Sequence, residues 1–158
     1  MHKLDLTIAR LKLLLAEING KRESLASTRH QYEEQIRRLV SFAVHDDGGV
    51  DQTLSMMMDI DARLRELTHQ DQYLNAIRTA AQRELDSLQL TKLIEEARAQ
   101  LDVLRANVHG EPGAQTAEAA DPAWISGEIR RLEDIIAEAS GAAAKSIANA
   151  RSVTGAGS

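Results

Sequence analysis

The chain's 158 residues fall in the range of a single domain, and its apolar content, 43% hydrophobic but only 3% aromatic, is Leu, Ile, Ala and Met, which favours thin helix-on-helix packing. The net charge of -5, with no concentrated basic face, argues against nucleic acid, and the absence of Cys excludes a disulfide framework and a thiolate zinc site. The two prolines, Pro112 and Pro122, lie in one short stretch, so residues 1–109 are free to form long helices.

Charge is unevenly divided. Residues 1–45 carry eight Lys/Arg and five Asp/Glu, residues 46–109 seven and twelve, and residues 110–158 four and seven. A basic first third beside an acidic second third suits two helices that pack on each other. The N-terminus lacks a signal peptide's order of features, because Leu11 to Ala16 is closely flanked by charges. No apolar run approaches the roughly 20 residues that span a bilayer, so no transmembrane segment and a cytoplasmic location are expected.

From Leu4, apolar residues recur at spacings of four and three: Leu4, Ile8, Leu11, Leu15, Ile18, then Leu25, Tyr32, Ile36, Leu39 and Ala43. This heptad seam predicts a helix over about 4–44, with Arg22 and Arg29 as polar seam members and Gly20 tolerated at some cost. His45-Asp46-Asp47-Gly48-Gly49 reads as a tight turn, spanning 45–50, with Asp51 as a candidate cap for the next helix. That helix, about 51–108, carries its own seam of Met57, Ile60, Leu64, Leu67, Leu74, Ala81, Leu85 and Leu88, with Asp71 and Arg78 as polar members. At ~1.5 Å per residue the two helices would span about 60 and about 87 Å.

In an antiparallel hairpin the numbers of facing residues add to a constant, and one constant aligns both seams. It pairs Ile8 with Leu88, Leu11 with Leu85, Leu15 with Ala81, Ile18 with Arg78, Arg22 with Leu74, Leu25 with Asp71, Arg29 with Leu67, Tyr32 with Leu64, Ile36 with Ile60 and Leu39 with Met57. The same constant centres the turn on Gly48. Asp71 then lies one layer from Arg22 and one from Arg29, which makes these three residues a candidate register lock, in the fork geometry that guanidinium offers a carboxylate. The alternative is that Arg22, Arg29 and Arg78 snorkel to water from a loose seam.

Past Leu88 the stripe changes face. Leu90, Ile94, Ala97, Leu101, Leu104 and Val108 keep heptad spacing but lie roughly 150° around the helix, at ~100° per residue. Leu6, Leu13 and Leu14 make the start of helix 1 apolar outside its seam, so further cover is expected there. Residues 110–120 read as a flexible linker, and Asp121-Pro122 as a helix start. The third helix, 121–151, carries Trp124 at its start and Ile125, Ile129, Leu132, Ile136, Ala139, Ala143 and Ile147 on one face, a natural partner for the second stripe. Residues 152–158 are expected to fray. The expected fold is all-α: an elongated antiparallel two-helix coiled-coil hairpin, residues 1–109, with a third helix packing at its base. The candidate assembly base comprises Leu6, Leu13, Leu14, Leu90, Ile94, Leu101, Leu104, Ile125, Ile129, Leu132 and Ile136. The same stripes could instead pair between chains.

Chemistry has little support in the sequence. Glu66-x-x-His69 matches the spacing used in carboxylate-bridged metal bundles, but it occurs once and its positions face away from helix 1. A site completed by oligomerisation, in a ferritin-like metal-binding protein, is the runner-up function. His45-Asp46-Asp47 lacks the spacing of a calcium loop, and His2, His30 and His109 have no positioned partner. There is no phosphate-binding glycine loop or nucleophile elbow. No cofactor, metal site or enzymatic activity is expected. A membrane coat is disfavoured because helices 2 and 3 are acidic, and the Ala-rich end, Ala137 to Ala150, suits close helix approach in an oligomer. Phe42, Val44, Val50, Met56 and Met58 surround the turn outside the seam, a candidate partner-binding tip, the alternative being that they close the hairpin end. The functional expectation is a non-enzymatic structural or adaptor coiled coil that binds protein partners, as a homo- or hetero-oligomer, through helix packing.

Overall fold

In the computed structural model the chain forms three helices: α1 (Lys3–His45), α2 (Val50–His109) and α3 (Pro122–Thr154). The structure describes residues 2–45, 49–109 and 121–154. Residues 46–48 of the expected turn, the expected linker 110–120 and the last four residues lie outside them. No strand occurs among the described residues, α1 packs against α2, and α3 packs against α2.

Two compact units are distinguished, Met1–Leu85 and Asp86–Ser158. The division falls inside α2, close to where its apolar stripe changes face. In the first unit the seam of α1 is the side turned from water: Ile8, Leu15 and Ile18 are buried, and Leu4, Leu11, Arg22, Leu25, Tyr32, Ile36, Leu39 and Ala43 are half-buried. On α2, Ile60, Ala81 and Leu85 are buried, with Met57, Leu64, Leu67, Asp71 and Leu74 half-buried. The antiparallel course follows from the bonds that cross between the helices. Arg22 reaches Asp71 and Asn75, which straddle its expected opposite, Leu74, while Tyr32 accepts a bond from Arg63, beside its expected opposite, Leu64.

Three local features depart from the expected pattern. Thr53 is buried, extending the α2 seam one step earlier than Met57. Ile77 is half-buried whereas its neighbour Arg78 is exposed, because a branched apolar side chain gains from cover and a guanidinium gains from water. Asp51 is not the cap of α2: it lies in the first turn, and the residue before the helix is Gly49, whose carbonyl accepts the Thr53 N–H at 2.9 Å. Gly49 has φ of 83°, a left-handed conformation that glycine adopts without the Cβ clash. The Asp51 carboxylate still favours the positive end of the helix dipole.

In the second unit, Ala97 and Leu101 of α2 and Leu132 of α3 form a buried cluster, against which Leu104, Ile129, Ile135 and Ile136 pack. Leu132, 2% exposed, is its centre. The Arg105–Glu133 pair at 2.9 Å joins the two helices at the cluster's edge. Asp121 caps α3, its carboxylate accepting the Ala123 N–H at 3.1 Å with Pro122 first in the helix. Cover runs out towards both stripe ends: Val108 and Ile147 are exposed. At the start of α3, Trp124 is 58% exposed and lines an apolar groove of about 400 Å³ with Val103, Leu104 and Leu132.

Candidate functional site

Arg22 and Asp71 form a two-pronged clamp across the seam of the first unit. Nε donates to Oδ1 at 2.7 Å and a terminal nitrogen donates to Oδ2 at 3.2 Å, while the other terminal nitrogen donates to Asn75 Oδ1 at 3.0 Å. The guanidinium is held by two residues one helical turn apart, a geometry an ammonium group could not reproduce. Hydrogen bonding from Arg22 lowers the carboxyl pKa of Asp71 from its ordinary 3.8, more than partial desolvation raises it, with the charges of Arg22 and Arg29 acting in the same lowering direction.

Arg29 is not a member of the clamp. Its Nε donates to Glu33 Oε1 at 3.1 Å, one turn along its own helix. Each of these two arginines has an acceptor at the right distance, and Glu33 is the nearer in sequence. That i,i+4 spacing is the sequence signal that separates Arg29 from Arg22. Arg78 is exposed as well, so the snorkelling alternative describes two of the three seam arginines. Arg22, Leu25, Ala26, Arg29, Leu67 and Asp71 line an open groove of about 450 Å³, in which the two arginine charges are answered by Asp71 and Glu33.

At the other end of this unit all five tip candidates are exposed, Val44 and Met58 at 73% and Phe42, Val50 and Met56 about half. Sequence reasoning missed Val40 and Leu54, which are also exposed. Leu54 and Met58 line a groove of about 560 Å³ with Ile36, Met57, Asp61 and Arg65. Both lie off the seam, Val40 one residue past Leu39 and Leu54 one past Thr53, so the departure from heptad spacing that marks the other five marks these two as well.

The assembly-base candidates divide. In the second unit Leu101 and Leu132 are buried, Leu104, Ile129 and Ile136 pack on them, and Leu90, Ile94 and Ile125 are half-buried. In the first unit Leu6, Leu13 and Leu14 stand off the face that carries the seam and are exposed, so among the described residues no other part of the same chain supplies the further cover expected for them. Glu66 and His69 are exposed, and Glu66 accepts a bond from Gln70 at 3.1 Å. Among the described residues no three His, Cys, Asp or Glu side chains gather as a metal site would need. Among them too, no helix is long and apolar enough to cross a membrane. No family model, curated protein or solved structure matches the chain, so its three-helix geometry is the basis for any functional reading.

Proposed function

We propose that the chain is a non-enzymatic structural or adaptor coiled coil, which binds a protein partner through the end of the α1–α2 hairpin. One observation carries this reading: large apolar side chains in the last turns of α1 and the first turns of α2 are turned to water instead of into the seam. Exposed apolar surface of this kind weakens solubility, and proteins that retain it commonly use it in recognition. Two of the residues are methionines, whose flexible thioethers adapt to a partner's shape. The clamp of Arg22 and Asp71 supports the same reading, because a hairpin that presents its end to a partner needs its two helices held in one register.

The test replaces Phe42, Val44, Met56 and Met58 with Ala together, leaving Ile36, Leu39, Met57 and Ile60 in the seam. Partners captured from native lysate are identified by mass spectrometry, and their affinity is remeasured with purified components. The expected result is a melting temperature close to that of the unaltered chain, with affinity falling about tenfold for each ~1.4 kcal/mol of binding free energy removed. A lowered melting temperature with unchanged affinity would mean that these side chains close the hairpin end, and would reject the reading.

A further inference from the structure

α1 carries a second stripe of heptad spacing on the side away from its seam. Leu6, Ala9, Leu13, Ala16 and Gly20 follow one another at intervals of three and four, roughly 160° around the helix from Ile8, Leu15 and Ile18 at ~100° per residue. All five are exposed, Leu13 at 71%, and a Cβ added at Gly20 would meet nothing within 4 Å. The face is therefore open along its length. Past Gly20 the same positions hold Glu23, Ser27 and His30, which ends the apolar run.

We propose that this face binds a second copy of the chain, α1 packing on α1 in parallel. The charges beside the stripe select both the occupant and its direction. Asp5 and Lys12 flank one edge, Arg10 and Glu17 the other. In a parallel pair, each edge residue meets the residue five further along on the other copy, so Asp5 faces Arg10 and Lys12 faces Glu17, and the two-fold axis makes each pair twice. The antiparallel register that matches Leu6 with Ala16 and Ala9 with Leu13 would set Lys12 against its own counterpart and Arg10 against its own. Like charges at both positions disfavour it. Glu17 also holds Lys21 at 3.2 Å along its own helix, an exposed pair that costs little to share or exchange. The alanines and Gly20 allow close approach of the two helices, and with only two leucine layers the dimer is weak and concentration-dependent. This surface is separate from the hairpin end, so neither proposal depends on the other.

The absence of Cys gives the test a clean background. In a parallel pair the two copies of residue 13 face each other within the Cα separation of about 4.4 to 6.8 Å that a disulfide needs. Leu13→Cys should therefore cross-link under mild oxidation at concentrations where Leu14→Cys, one residue off the stripe, does not. In sedimentation of the full chain, a monomer–dimer equilibrium is expected. Lys12→Glu should weaken it about fivefold, and the exchange Lys12→Glu with Glu17→Lys should restore it. Circular dichroism checks that these exposed substitutions leave the helices intact. Overturning results are a monomer at every concentration, equal cross-linking at positions 13 and 14, or a charge exchange that fails to restore the dimer.

Discussion

Arg22 and Arg29 stand one heptad apart on α1, and each has a carboxylate within reach, but the carboxylates lie on different helices. For Arg22 the acceptors are Asp71 and Asn75 across the seam; for Arg29 the acceptor is Glu33 on its own helix. A double-mutant cycle should therefore show coupling of Asp71 with Arg22 and little with Arg29, measured from denaturant unfolding of the single and paired alanine variants. Equal coupling to both would mean that Asp71 is shared. The pH dependence has a definite sign. Since folding lowers the Asp71 pKa, the folded chain holds that proton less tightly, so the stabilisation is complete above the ordinary value of 3.8 and is lost as pH falls through the lower folded value. Asp71→Asn should remove that part of the acid sensitivity. A second residue-scale prediction concerns Gly49, whose φ of 83° an L side chain resists: Gly49→Ala should cost about 1 kcal/mol, read as a shift in the urea midpoint without a change in slope.

At the scale of elements, α3 and the second stripe of α2 cover each other through Ala97, Leu101 and Leu132. Deleting residues 111–158 should expose that stripe and produce aggregation or an altered oligomeric state, followed by light scattering. A truncated chain of unchanged oligomeric state and solubility would show that α3's cover is dispensable. These elements were legible in the sequence because Leu and Ile at three-four spacing have few other uses in a chain so poor in aromatics. Thr53 and Ile77 were not legible in the same way. A threonine scores as polar although its methyl packs well, and Ile77 stands beside Arg78, which the strict heptad selects. The arginine clamp was half legible: spacing brought Asp71 near two guanidinium groups, but the choice between them depended on side-chain reach and on Glu33. The hairpin-end residues were legible because they do not fit the seam, and by that criterion Val40 and Leu54, also off the seam and exposed, belong with them.

For the whole molecule, the division between Leu85 and Asp86 implies that stability is distributed over two clusters of buried side chains. Leu132→Ala should cost the second unit about 2 to 5 kcal/mol, since it empties the most buried position there. Hydrogen exchange should then accelerate through α3 and Asp86–His109, while the amides around Ile8, Leu15 and Ile18 keep their rates. Uniform acceleration over the whole chain would instead indicate one cooperative unit. The chain's single tryptophan makes part of this behaviour visible without labels. Trp124 is more than half exposed beside Val103 and Leu104, so its indole should emit as a largely water-exposed one, read as a red-lying emission maximum in the unliganded protein. Any ligand that settles in that groove should shift the emission to the blue and shield it from iodide quenching. Neither Leu13 nor Met58 lines that groove. The fluorescence spectrum is thus a built-in local gauge, separating events at the start of α3 from those elsewhere on the chain.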